Sequence, residues 1–97
     1  MNFEQFSATL SDAIPPADVS TVLQALWYDA RGDWDKAHDL AQEQNNIEGA
    51  WVHAYLHRKE GDRWNANYWY NQAGKSMPEV SLEQEWEDIV RALVKNK

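Results

Sequence analysis

Two stretches decide the fold: Ala25-Leu26-Trp27-Tyr28-Asp29-Ala30-Arg31-Gly32-Asp33-Trp34-Asp35-Lys36-Ala37 and Ala54-Tyr55-Leu56-His57-Arg58-Lys59-Glu60-Gly61-Asp62-Arg63-Trp64-Asn65-Ala66. In both, an alanine stands seven residues before a Gly-Asp step and another five after the glycine. A glycine can take the left-handed conformation that ends a helix, and an aspartate directly after it can cap the free N–H groups of the next. Each stretch therefore reads as helix, tight turn, helix. The middle of the chain becomes two hairpins, over about residues 16–44 and 48–75, with Asn45, Asn46 and Gly49 marking the connection.

Outward from the hairpins, Phe3, Phe6 and Leu10 share one helical face, so a short helix is expected over about 3–10. Pro15-Pro16 ends that segment, and a proline suits the first turn of the following helix, expected over about 16–31. Helices near 34–44, 48–60 and 63–75 follow, and Pro78 stops the last of these. Ser81 and Gln84 have capping-box spacing for a sixth helix over about 82–95. Leu82, Trp86, Ile89, Val90, Leu93 and Val94 give that helix an apolar stripe. An open hairpin leaves an apolar face wet, so the first and sixth helices are expected as capping helices. The expectation is an all-α single domain over 1–97, of about six helices.

Six Trp, four Tyr and two Phe in 97 residues could hold a core of this size without disulfides; each large ring can bury about 150–250 Å². The absence of cysteine excludes thiolate chemistry. No basic-then-apolar leader opens the sequence, and no run approaches the ~18 apolar residues of a membrane span, so a cytoplasmic protein without membrane contact is expected. The net charge of −7 sits entirely in residues 1–48, where nine acids face Arg31 and Lys36; residues 49–97 carry seven of each sign. Such a balance repels phosphate backbones and argues against nucleic acid as a partner.

The second hairpin resembles the tetratricopeptide and Sel1-like repeats. Ala54 stands at the small position of the first helix, Gly61-Asp62 at the turn, and Ala66, Tyr70, Ala73 and Pro78 at the small, aromatic, small and terminating positions. The first hairpin keeps Ala25, Tyr28, Gly32, Asp33 and Ala37; the Gly-to-Gly spacing is 29 residues, against ~34 in that family. The run from Leu56 to Asp62, continuing through Asn65-Ala66 and Tyr68-Trp69-Tyr70, also resembles a signature of small bacterial proteins, which implies no activity. By the tetratricopeptide resemblance, Trp51, Tyr55, Arg58 and Lys59 fall on the concave face of the fourth helix. They could take an extended peptide, with rings for packing and cations for a carboxylate; burial of Trp51 and Tyr55 against the neighbouring hairpin is the competing and preferred reading. Val22, Leu26, Asp29 and Ala30 are the matching positions of the first repeat and lack a carboxylate-clamp pattern.

A second constellation is His53, His57 and Glu60, which share one face of the fourth helix. Two imidazoles at that spacing can chelate Zn²⁺, with a carboxylate as third ligand and His38 or Asp62 as remote additional ligands; packed, hydrogen-bonded histidines are the stronger reading. Asn65, Trp69 and Gln72 share a face of the fifth helix and could meet those histidines in a polar pocket. Glu60 and Asp62 straddle a turn glycine, where capping accounts for them without acid–base chemistry. No nucleophile elbow and no phosphate-cradling loop occur. The leading expectation is a non-catalytic module binding a protein, a peptide or a second copy of itself, without cofactor or metal. The alternative is a small-ligand or metal-binding protein, or a small enzyme, centred on His53, His57, Glu60, Asn65 and Trp69.

Overall fold

The breaks between helices fall where capping chemistry puts them in the computed structural model, which describes residues 1–94. Helix α1 (Phe3–Ala8) starts from Asn2, whose side chain accepts from the Gln5 N–H while Gln5 returns a bond to the Asn2 N–H, and it runs into a 3-10 turn at Thr9–Ser11. Helix α2 (Thr21–Ala30) starts five residues later than expected, because Ser20 caps it through the Leu23 N–H and the Pro15-Pro16 segment stays non-helical. Helices α3 (Trp34–Gln42), α4 (Ile47–Glu60), α5 (Arg63–Gln72) and α6 (Leu82–Val94) complete the chain. The sixth was expected to reach residue 95, which lies outside the described residues. No strand occurs among the described residues.

Both Gly-Asp steps do what their chemistry dictates. Gly32 and Gly61 have φ of +85° and +88°, and the aspartate after each donates its N–H back to Tyr28 O or His57 O. This reversed bond satisfies a carbonyl that the helix end would strand. Asp33 and Asp62 then accept from the N–H groups of Lys36 and Asn65. Within the hairpins, Ala25, Ala37, Ala54 and Ala66 are fully buried. Side chains this small let paired helices approach closely at these repeat positions.

The main core joins Phe6, Leu26, Trp27, Val52, Leu56, Ile89 and Val90, and a smaller cluster of Ala54, Ala66 and Tyr70 lies between α4 and α5. Helix α6 packs against α1, α2 and α4, so it covers the inner face that the first helices of the two hairpins share. The Trp86 indole N–H donates to Leu26 O over 3.0 Å, and its ring lies 6.0 and 6.1 Å from Phe3 and Phe6. Helix α5 packs principally on α4 and forms an edge of the molecule. No helix among the described residues is long and apolar enough to cross a membrane.

Candidate functional site

The strip expected to take an extended peptide is occupied from within. Tyr55 is 2% exposed, and its hydroxyl donates to Asp29 Oδ2 over 3.1 Å. The Lys59 ammonium meets Asp29 Oδ1 at 2.9 Å. Arg58 reaches Glu85 Oε1 on α6 at 2.7 Å and also donates to the Val80 carbonyl. Glu85 in turn accepts from the Tyr70 hydroxyl. Asp29 and Glu85 are each 2% exposed, so two buried carboxylates are neutralised by the very cations that sequence reasoning assigned to a partner's carboxylate. Burial, then the neighbouring carboxylate, pushes both phenols far above their ordinary range, which keeps them proton donors. Trp51 is half-buried, with the Lys75 ammonium 4.1 Å from its ring centre. Tyr55 and Lys59 are thus engaged by Asp29 of α2 and Arg58 by Glu85 of α6, while Lys75 lies over the Trp51 indole; Tyr55 and Lys59 also line an open cavity with Phe3, Leu82 and Trp86.

The histidines converge instead. His38 on α3 meets His53 and His57 on α4, with ring centres 4.6 and 5.2 Å away, and the α4 pair lies 4.9 Å apart. These are the only histidines in the sequence. Trp69 stacks on His53 at 4.1 Å and Trp34 on His38 at 4.8 Å, so an indole closes each side. The Trp34 N–H is fixed on Leu56 O over 2.9 Å. His57 Nδ1 pairs with Glu60 Oε1 at 2.8 Å. Burial, followed by its two histidine neighbours, lowers the His53 pKa to about 4; burial, then His57, lowers that of His38. Asn65, expected in the same pocket, is engaged at the start of α5: its amide donates to Asp62 Oδ2 over 2.6 Å. Those bonds also lower the Asp62 pKa.

A third feature, the outer face of α5, has no counterpart in the sequence reading. Trp64 is 77% exposed and Tyr68 48% exposed, with their rings stacked 6.5 Å apart. Asn67 and Asn71 are exposed beside them, and Arg63 is the only charged residue of this helix. The i, i+4 spacing of Trp64 and Tyr68 was the available signal, masked because neighbouring Trp69 and Tyr70 point inward. Likewise Trp34 and His38, four apart on α3, announced a shared face whose destination depended on how the hairpins stack. No known protein family, curated protein or solved structure matches this chain.

Proposed function

We propose that this chain is a non-catalytic helical interaction module whose docking face is the outer side of α5, and that its first partner is a second copy of itself. The observation that carries the reading is the stacked, solvent-facing Trp64–Tyr68 pair on an edge helix. Tryptophan and tyrosine dominate the centres of protein interfaces, because they bury large area at low entropic cost. A chain of charge −7 repels its own copy, so self-docking costs least where the surface carries no acid. The described residues of α5 include none. In an antiparallel isologous pair, Arg63 at the start of each α5 would meet the partially negative end of the other helix.

A ten-residue helix spans only about 15 Å. The buried area then falls below the ~800 Å² per partner of a standard complex, so the dimer is weak and transient. Sedimentation velocity across about 10 µM to 1 mM should show concentration-dependent association. Trp64→Glu should abolish it with an unchanged circular dichroism spectrum, since this indole is mostly in water already. A wild-type chain that stays strictly monomeric throughout that range rules out self-association. Capture of a different protein through Trp64 would retain the face and replace the partner.

A further inference from the structure

We propose that His38, His53 and His57 form a site for one divalent transition metal of the zinc class, with three imidazole ligands and a fourth position left for an external ligand. One nitrogen can be chosen from each ring such that all three lie within 4.8 Å of one another. Zn–N bonds of about 2.0–2.1 Å in a tetrahedral arrangement place ligand nitrogens about 3.4 Å apart and ring centres about 5 Å apart. The observed centre separations of 4.6, 4.9 and 5.2 Å already match the second requirement. Small side-chain rotations supply the first.

Two further features fit a ligand rather than mere packing. His57 presents Nδ1 to Glu60, which fixes a carboxylate–imidazole pair and leaves Nε2 free for a metal, the outer-shell arrangement common to metal-binding histidines. His53 is 6% exposed, yet no hydrogen bond to it or to His38 occurs among the described residues, while every fully enclosed side-chain nitrogen or oxygen described there has a partner. Its ring nitrogens therefore reach the surface of the cluster without a protein partner. Thiolates are absent, and three imidazoles suit Zn²⁺, Co²⁺, Ni²⁺ or Cu²⁺ better than Mg²⁺ or Ca²⁺. The neighbouring group of His57, Glu60 and Asp62 competes poorly, because Asp62 is committed to capping α5 and to the Asn65 amide.

Because His38 belongs to the first hairpin and the other two to the second, a bound ion would staple the hairpins together and raise the melting temperature. The test is titration of tag-free protein with Zn²⁺, followed by calorimetry and by the imidazole C–H resonances. One ion per chain should bind, all three histidine resonances should move, and Mg²⁺ should move none. His38→Ala should weaken Zn²⁺ by at least about tenfold, and the exposed Glu60→Gln by roughly tenfold or more. No saturable binding, or a response confined to His57, overturns the proposal. So does Zn²⁺ affinity that is undiminished in a folded His38→Ala variant. The resonance pattern decides the matter in the wild-type protein even if that variant does not fold.

Discussion

Single side chains here carry more than their sequence context announces. Asp29 and Glu85 read as two of sixteen solubilising acids, yet both are buried, because their partners Lys59 and Arg58 lie 30 and 27 residues away. Such pairings leave no local signature, whereas His53 and His57 were legible as a pair from their helical spacing. Removing one partner of a buried ion pair leaves an uncompensated charge and costs about 3–5 kcal/mol. Arg58→Ala should therefore destabilise the fold by roughly 3 kcal/mol in urea denaturation. The triple change Arg58→Met, Tyr70→Phe, Glu85→Leu should recover most of the loss, since it removes the charges and the hydroxyl together. His53 makes a separate prediction. Below pH ~6.5 the unfolded chain binds a proton that the folded His53 refuses until about pH 4. Stability should thus fall as pH drops through that window, by on the order of 2 kcal/mol from this residue, and its contribution should level off below. Its C–H resonance should titrate well below that of a free imidazole.

At the level of helices, the Gly-Asp steps were fully legible, because end and start signals are local. The conformation of Gly61 is one an L side chain adopts only with strain, so Gly61→Ala should cost about 1 kcal/mol, measured by chemical denaturation. Less legible was the start of α2. A proline in the first turn and the serine cap at Ser20 compete for it, and the cap wins. Here Arg31 also holds the preceding loop by donating to the carbonyls of Leu10 and Asp12, a tie that no local rule anticipates. At Ser81 half of the expected capping box forms: its hydroxyl accepts from the Gln84 N–H, while the Gln84 amide turns to Asp88 instead.

For the whole molecule, the apolar stripe of α6 was clear from periodicity, but its destination was not. Repeat logic covers exposed ends; this chain covers the inner face of its two hairpins, because Glu85 and Trp86 find Arg58, Tyr70 and the Leu26 carbonyl there. Trp86→Ala should accordingly cost about 3–5 kcal/mol, with chemical-shift changes reaching α1 and α2. The position of α6 also has a bearing on synthesis. A ribosome delivers the two hairpins before it delivers residues 82–94. Until then the nascent polypeptide shows water an aromatic groove in which Arg58 and Tyr70 still lack Glu85, the sort of surface that chaperones and proteases sample first. Slow translation over the closing segment would lengthen that vulnerable interval, and rapid translation would shorten it.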